Sequence, residues 1–566
     1  MRISICIFLL ILVIQRTAAQ EYKYLVHLKD KNNSGFSLSN PSAFLSEKSI
    51  QRRSKQHIAI DSTDLPINRS YVDSIATLPD VRVLNKSKWF NQVLISISDT
   101  NTIQQFLSFS FVISTEPVNN RNVLKKENRV SVNQQSMMPN TSSIASGNRT
   151  GTASQDAYNY GNSLSQIHIH HGEYLHNLGF HGEGMTIAVL DDGFKNYLDN
   201  PAFDSVRLDH RILGTYDYVN GKTSVSEEDQ HGANCFSIIA SNVPGTLIGT
   251  APAASFWLFK TEDVFSESPV EEQNWIAAAE FADSAGVDLI TTSLGYDYFD
   301  DPVYDIHYPE RNGHSSLITL AANRAVSKGI IVTASQGNSG GETSEKKYVI
   351  CPADGDSVFA VGAVDINNQI AGFSSWGPNA SGQIKPDGVS VGLGTFVMGP
   401  DGTPHAGNGT SYANPNLAGL ITCLWQAFPE FVLHDILSAV RQSSNMFSSP
   451  DDRFGFGLPD FEKAYQILAG KRLEGFNQIL GDDWIRAFPV PFHQGFQIIL
   501  RPAVTGLASV QLLDVTGKII KKQTVSITAN QLQLVEFTST STMATGAYYI
   551  RYMDTNHSKT IQLLKN

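Results

Sequence analysis

Four near-continuous apolar runs most constrain what this chain can fold into. They cover residues 185–190, 286–290, 329–334 and 358–363, and helical stretches separate them. Runs rich in Val, Ile, Leu and Ala indicate strands buried on both faces, which occur in parallel sheets covered by helices. The sequence therefore predicts a three-layer α/β domain with a mostly parallel sheet over residues 157–470. Ligands of such folds bind beyond the carboxyl ends of the strands.

The segments on either side of this domain have different patterns. Residues 20–130 combine short alternating runs with helical stretches, which predicts a small α+β domain. Residues 131–156 are rich in Ser, Asn, Thr and Gly, as in an exposed linker. Residues 487–566 contain short alternating runs separated by turn signals, which predicts a β-sandwich. Residues 471–486 are expected to link this sandwich to the α/β domain.

The N-terminus has the pattern of a secretory signal peptide over residues 1–19. Arg2 precedes an apolar run over residues 3–14, and the small residues Thr17, Ala18 and Ala19 stand where a signal peptidase would cut. The run is shorter than the roughly 20 residues that cross a bilayer, and we expect no transmembrane segment. The formal net charge of −12 argues against nucleic-acid binding, because phosphate recognition needs an excess of Lys and Arg.

Three motifs place a carboxylate, an imidazole and a hydroxyl at the ends of predicted elements. Asp191 ends the first apolar run, before a sharp turn at Gly193. His231 lies at the mouth of an apolar helix, where an imidazole exchanges protons near neutral pH. Ser411 begins a helix whose free N–H groups favour an oxyanion, and Pro415 is expected in its first turn. Taken singly, each motif is also compatible with an ordinary turn or cap.

A fourth motif supplies an amide donor. Asn338 lies in the Gly-rich segment 334–341, directly after a predicted strand. Its side chain would donate to a developing oxyanion together with the backbone N–H of Ser411. A Gly-Asn pair is also common in ordinary loops, so the motif gains its meaning from the other three.

These four motifs, in the chain order Asp, His, Ser, resemble those of the subtilisin-like serine peptidases, or subtilases. The resemblance extends over about residues 182–469. Further similar motifs stand at Gly249–Pro252, at Ser293, Leu294 and Gly295, at Phe373–Pro378, and at Lys385–Asp387. In this family the segment 293–295 lines the substrate cleft, so the resemblance implies that these three residues bind substrate.

The resemblance implies a secreted serine endopeptidase that cleaves proteins or peptides through an acyl-enzyme intermediate. Asp191 would orient His231, which takes the proton of Ser411, and Asn338 would belong to the oxyanion hole. Asp192 stands where the family usually has Ser or Thr and remains an alternative carboxylate. Asp191 is preferred because it lies two residues before the glycine of the motif, as in the family.

No cofactor is expected for this chemistry, and no metal site is predicted. Many subtilases bind structural calcium, but the sequence has no aspartate-rich loop of the EF-hand type. Three histidines at positions 168, 170 and 171 lack a carboxylate or cysteine with ligand spacing. The acidic pairs 262–263 and 271–272 would favour basic substrates if they rim the cleft, but we expect a solvated face.

The flanking domains also resemble known types. Residues 20–130 occupy the place of the inhibitory propeptide of subtilases, which implies that the propeptide is a partner. Residues 487–566 resemble the C-terminal sorting domain of type IX secretion substrates, through motifs at Phe488–Phe492, Leu513–Lys518 and Thr545–Tyr549. This implies the type IX machinery as a partner and export from a Gram-negative bacterium. A retained sugar- or surface-binding sandwich would have a similar sequence.

Two other classes of protein fit parts of the pattern. An inactive binding protein with the same fold would lack at least one residue of the triad or oxyanion hole, and none is missing. An esterase would have the order Ser, Asp, His and a Gly-x-Ser-x-Gly motif. Ser411 is instead flanked by Thr410 and Tyr412, so the sequence favours the peptidase.

Overall fold

The structure is a computed structural model that describes residues 21–119, 156–227, 229–493, 495–538 and 540–566. The predicted signal peptide lies outside these residues, as does the predicted linker 131–156 apart from Asp156. The chain forms two compact units, which divide between Ala464 and Tyr465. The first unit contains an N-terminal domain (residues 21–119) and a central domain (residues 156–464).

The N-terminal domain is a four-stranded antiparallel sheet with short helices. Its elements are β1 (Tyr22–Leu28), α1 (Glu47–Lys55), α2 (Arg69–Ala76), β2 (Arg82–Ser87), β3 (Gln92–Ile97), α3 (Ile103–Phe106) and β4 (Val112–Asn119). The strand order is β2-β3-β1-β4. Alternate strand residues such as Val26, Val93 and Ile95 form the core with Ile75 and Phe106, because successive strand side chains point to opposite faces. The domain is α+β, as predicted.

The central domain is built on seven parallel strands in the order β13-β12-β11-β10-β5-β9-β6. These strands are β5 (Thr186–Asp191), β6 (Ile212–Asp217), β9 (Ser255–Lys260), β10 (Leu289–Thr292), β11 (Ile331–Ser335), β12 (Phe359–Val364) and β13 (Gly388–Val391). The four apolar runs became β5, β10, β11 and β12, which are neighbours in the sheet. All residues of these four strands are buried, as the absence of polar alternation predicts.

Helices cover both faces of this sheet. The helices of the central domain are α4 (Leu164–His168), α5 (Gly172–Asn177), α6 (Asp204–Leu208), α7 (His231–Ala240), α8 (Pro269–Ala285), α9 (Leu317–Ser327), α10 (Thr410–Ala427) and α11 (Leu433–Ser443). Two pairs of short strands complete it: β7 (Asn242–Val243) with β8 (Leu247–Ile248), and β14 (Leu393–Met398) with β15 (Pro404–Asn408). Helices α8 and α9 share one core with Leu190, Ile290 and Val332. Helices α7 and α10 pack against each other and the strands to form the third layer.

The second unit is a β-sandwich preceded by a helix. Helix α12 (Phe461–Leu480) begins before the division and continues into this unit. The strands are β16 (Ile485–Phe488), β17 (Phe496–Leu500), β18 (Gly506–Leu513), β19 (Ile519–Ile527), β20 (Gln533–Phe537), β21 (Gly546–Met553) and β22 (Ser558–Lys565). They form sheets of order β16-β17-β20 and β19-β18-β21-β22 around one apolar core.

The segment predicted as a linker, residues 471–486, is helical as far as Leu480, and β16 begins at Ile485. Its residues Lys471, Arg472, Leu473 and Glu474 have high helix propensity and contain no breaker, so the helix continues through them. Within the described parts of the chain, none of the helices combines the length and apolarity that crossing a membrane requires.

Candidate active site

Asp191 and His231 meet where strand β5 ends and helix α7 begins. Asp191 is the last residue of β5 and His231 the first of α7. The Oδ1 atom of Asp191 lies 2.7 Å from Nδ1 of His231, and the carboxylate is fully buried. Gly232 makes this approach possible, because a Cβ atom there would lie 2.4 Å from the carbonyl oxygen of Gly193 and 2.8 Å from Cβ of Asp191.

Burial and charge act in opposite directions on the His231 imidazole. Burial alone would lower its pKa, but the adjacent Asp191 carboxylate and the Cys235 side chain together raise the pKa well above its ordinary value. The carboxylate therefore favours the protonated imidazole and holds its ring orientation.

The neighbouring Asp192 has a different environment. Its Oδ1 atom accepts a hydrogen bond from the backbone N–H of Gly232 (3.1 Å), and its own N–H donates to Oδ1 of Asp191 (2.9 Å). Burial and the Asp191 charge raise the pKa of the Asp192 carboxyl well above its usual range. Of the two candidate carboxylates, Asp191 is the one in contact with His231.

Ser411 is the second residue of helix α10 and is almost buried. Its Oγ atom donates to the carbonyl of Ser293 (3.2 Å), and Oγ of Ser293 donates to the carbonyl of Ser411 (2.8 Å). The Sγ atom of Cys235 lies 3.4 Å from the Ser411 carbonyl oxygen and 3.9 Å from Nδ1 of His231. Ser411, Ser293 and His231 therefore belong to one cluster around Cys235.

Pro415 explains why the Ser411 carbonyl is available to these partners. The prediction put Pro415 in the first turn, but it is the sixth residue of α10. In a helix the N–H of residue 415 would donate to the carbonyl of residue 411, and proline has no N–H. The hydroxyl of Ser293 and the thiol of Cys235 donate to that carbonyl instead.

Asn338 lies beside the start of α10, three residues after β11 ends. Its Oδ1 atom accepts from the backbone N–H (2.8 Å) and the hydroxyl (2.9 Å) of Thr410. These two hydrogen bonds occupy the Oδ1 end of the amide. Because Asn338 is exposed, its NH₂ end remains available as a donor on the surface. An amide donor therefore lies next to Ser411.

The segment Ser293–Gly295 extends from the carboxyl end of β10. Ser293 is held by the two hydrogen bonds to Ser411, and the next residue after the segment, Tyr296, donates its N–H to the carbonyl of Cys351 (2.8 Å). Leu294 and Gly295 are partly exposed. All seven residues named from the sequence are thus near the carboxyl ends of β5, β10 and β11 and the N-termini of α7 and α10.

The acidic residues expected on a solvated face are partly inside the protein. Glu262 accepts from the hydroxyl groups of Tyr296 (2.6 Å) and Thr261 (2.8 Å), and burial raises its pKa to about 7. Thr261 donates its N–H to the carbonyl of Asp191 (3.0 Å), so Glu262 lies close to the site. The sequence signal for this proximity was the position of Glu262 two residues after β9, the strand beside β5.

Two groups of described side chains have the spacing of metal ligands, with donor atoms within 4.8 Å of one another. One consists of Asp191, His231 and Cys235, where the first two bond to each other. The other consists of Glu262, Glu267 and Glu271, where the carboxylate of Glu271 accepts from two backbone N–H groups (2.9 Å each). Because Asp191, His231 and Glu271 already use these atoms in bonds within the protein, we assign no metal to either group.

Comparison with known proteins gives matches to three family models. The model described as the subtilase family matches residues 182–457. The peptidase S8 propeptide domain of Bacteroidota matches residues 23–135, and the secretion system C-terminal sorting domain matches residues 486–566.

Curated relatives align with about half of the chain. The thermostable alkaline protease of Halalkalibacterium halodurans is 28% identical over 301 residues, which cover 52% of this chain and 71% of that protein. Subtilisin E of Bacillus subtilis is 30% identical over 297 residues, covering 52% of this chain and 68% of the relative. A subtilisin of Bacillus pumilus is 30% identical over 297 residues, covering 52% and 94%.

Proposed function

This chain belongs to the subtilase family, and from that premise we propose that Asp191, His231 and Ser411 are the catalytic triad of a serine endopeptidase. The observation that carries the proposal is the 2.7 Å contact between the buried Asp191 carboxylate and Nδ1 of His231. This contact leaves Nε2 as the nitrogen that exchanges a proton with Ser411.

The reaction begins when Oγ of Ser411 attacks the carbonyl carbon of the scissile peptide bond. His231 takes the Ser411 proton on Nε2, and the Asp191 carboxylate stabilises the imidazolium. The hydroxyl now donates to the carbonyl of Ser293, so this hydrogen bond must break before the hydroxyl can donate to Nε2 of His231. Hydrogen bonds of this kind often align only when substrate binds.

The oxyanion of the tetrahedral intermediate receives the side-chain NH₂ of Asn338 and the backbone N–H of Ser411. Collapse of this intermediate breaks the C–N bond, and His231 gives its proton to the leaving amine. Water then attacks the acyl-enzyme with His231 again as base, which releases the carboxylic acid and restores Ser411. The triad and the two N–H donors supply all the groups that this reaction needs.

We further propose that the N-terminal domain inhibits the enzyme until it is cleaved off. This domain packs on helix α8, where Glu280 accepts from the N–H groups of Lys88 (2.7 Å) and Trp89 (2.9 Å). Asp283 on the same helix binds Arg52 and Arg53. An interface rich in hydrogen bonds and charges suits a partner that dissociates, since interfaces between dissociable domains are more polar than permanent ones.

The C-terminal sorting domain makes the protein a secreted or cell-surface protein of a Gram-negative bacterium. We propose that the type IX machinery recognises this domain and that the peptidase then acts on protein substrates outside the cell.

Replacing Ser411 by Ala tests the proposed function. Ser411→Ala should abolish both casein hydrolysis and covalent labelling by a fluorophosphonate, because only an activated serine attacks that reagent. The matched control is Ser448→Ala, a change at an exposed serine, which should leave both signals intact. Undiminished labelling of the Ser411→Ala protein would contradict the assignment.

A further inference from the structure

We propose that Ile350 fills the slot that receives the substrate side chain on the acyl side of the scissile bond, and so restricts cleavage to bonds after small residues such as Ala, Ser and Gly. The inference rests on the proposed function, since it takes Ser411 as the nucleophile.

Two backbone segments flank the nucleophile and form the walls of this slot. One is Ser293–Gly295, bonded to Ser411 through Ser293. The other is Gln336–Asn338, bonded to Thr410 through the N–H of Gly337 (3.3 Å) and the side chain of Asn338. The two walls follow β10 and β11, which are neighbours in the sheet, so they run side by side beyond it.

The position of the reacting carbonyl places a substrate side chain between these walls. Its carbon must face Oγ of Ser411, and its oxygen must face the amide of Asn338. In the binding mode that we propose, the α-carbon on the acyl side lies over the gap between Gly295 and Gly337. Since glycine contributes no side chain, neither wall projects into the gap at these positions.

Ile350 crosses the gap and fills it from below. Its N–H donates to the carbonyl of Gln336 (3.3 Å), and the carbonyl of Cys351 accepts from Tyr296 (2.8 Å), so residues 350–351 bridge both walls. A Cβ atom on Gly295 would lie 2.0 Å from Cδ1 of Ile350. One on Gly337 would lie 3.2 Å from Cγ2 of Ile350.

The Ile350 side chain therefore touches the positions where both walls would otherwise carry side chains. Ile350 is also partly exposed. Besides Ile350, the hydroxyl of Ser375 also lies beside Gly337, and this hydroxyl accepts from the N–H of Ser339 (3.1 Å). A short side chain fits above such a floor, whereas an aromatic ring would have to displace the Ile350 side chain.

The test expresses the full chain, lets it mature, and compares the secreted wild-type enzyme with the variants Ile350→Gly and Ile350→Ala. The substrates are peptide p-nitroanilides that differ only in the last residue before the scissile bond, which is Ala, Leu, Phe or Lys. The wild-type protein should have a kcat/KM at least 10-fold higher for Ala than for Phe. The ratio of kcat/KM for Phe to that for Ala should rise at least 10-fold in Ile350→Gly and less in Ile350→Ala.

The matched control is Ile366→Gly, a change at an exposed isoleucine in a turn, which should leave the ratio unchanged. A second measurement needs no variant: the bonds cleaved in denatured casein, identified by mass spectrometry, should mostly follow Ala, Ser or Gly. Frequent cleavage after Phe or Leu, or an unchanged ratio in an Ile350→Gly protein that still reacts with fluorophosphonate, would overturn the inference. Absence of hydrolysis and labelling in the wild type would instead contradict the proposed function.

Discussion

Asp283 should contribute most of the electrostatic affinity between the N-terminal domain and the enzyme. Its fully buried carboxylate lies 2.6 Å from Nη2 of Arg52, 2.8 Å from Nη2 of Arg53 and 3.3 Å from Nζ of Lys88. Burial alone would raise the pKa of Asp283, but these three cations outweigh it and lower the pKa. The carboxylate is therefore ionised in the complex, and all three of its cationic partners come from the N-terminal domain.

Asp283→Asn removes this charge while preserving the shape of the side chain. Removing one partner from a buried ion pair typically costs about 3–5 kcal/mol, because the other charge stays buried without compensation. Arg53 keeps its second carboxylate, Asp64, at 2.8 Å, so we expect the lower end of this range. A loss of about 3 kcal/mol corresponds to a roughly 150-fold weaker complex.

The assay adds separately produced N-terminal domain to matured enzyme and measures Ki from peptide hydrolysis. The same wild-type N-terminal domain is added in every assay, so any difference in Ki comes from the substitution in the enzyme. Asp199→Asn is the control. Asp199 is exposed, and in the part of the chain that the structure describes its carboxylate forms no hydrogen bond or ion pair. Asp283→Asn should raise Ki about 150-fold and the control less than 2-fold. A rise below 10-fold for Asp283→Asn would refute the reasoning.

Three further predictions concern the active site and the inhibitory interface. Asp191→Asn should lower kcat by about 10⁴-fold, as for a triad aspartate. Asp192→Asn should stay within 10-fold, because Asp191 is the carboxylate that contacts His231 and an Asn oxygen can still accept from the N–H of Gly232. Steady-state kinetics that rank the two variants the other way would contradict this. Asn338→Ala should lower kcat by about 10²–10³-fold at similar KM, a magnitude taken from subtilisin itself, and an unchanged kcat would remove Asn338 from the oxyanion hole. Burial against the N-terminal domain raises the pKa of Glu280 from 4.5 to about 7, so the complex holds a proton that the free enzyme releases, and affinity is lost as pH rises through that range. Calorimetry with fluorophosphonate-inactivated enzyme should give a roughly 70-fold weaker complex at pH 8 than at pH 5, and a pH slope that persists in Glu280→Gln would exclude this group.

The sequence predicted the central sheet because its four apolar runs have no polar face. Such strands must be covered on both sides, and in the structure they are adjacent. The proximity of Asp191 and His231 was predictable for a related reason, since one ends a parallel strand and the other begins a helix that packs behind it. Parallel strands bring their carboxyl ends to one edge of the sheet, so few placements of these residues were possible.

Features that depend on distant contacts were not predictable. Glu262 and Glu271 resemble solvated acids in the sequence, and only the fold supplies the hydroxyl and N–H groups that allow their burial. In the sequence Ile350 is an ordinary apolar residue. Its contacts with Gly295 and Gly337, which lie 55 and 13 residues earlier in the chain, exist only in the folded protein. The end of helix α12 was also missed, because composition alone does not distinguish a polar linker from an exposed helix.

Pro415 has a mechanical consequence for the nucleophile. In an ordinary helix the Ser411 carbonyl would accept a hydrogen bond from the backbone N–H of residue 415. The position of the serine would then depend on the next turn of the helix. Here that tie is replaced by the hydroxyl of Ser293 and the thiol of Cys235. The backbone of the nucleophile is therefore held by a residue that follows β10 and by a residue of helix α7, so its position is set by the sheet and by the helix that carries His231.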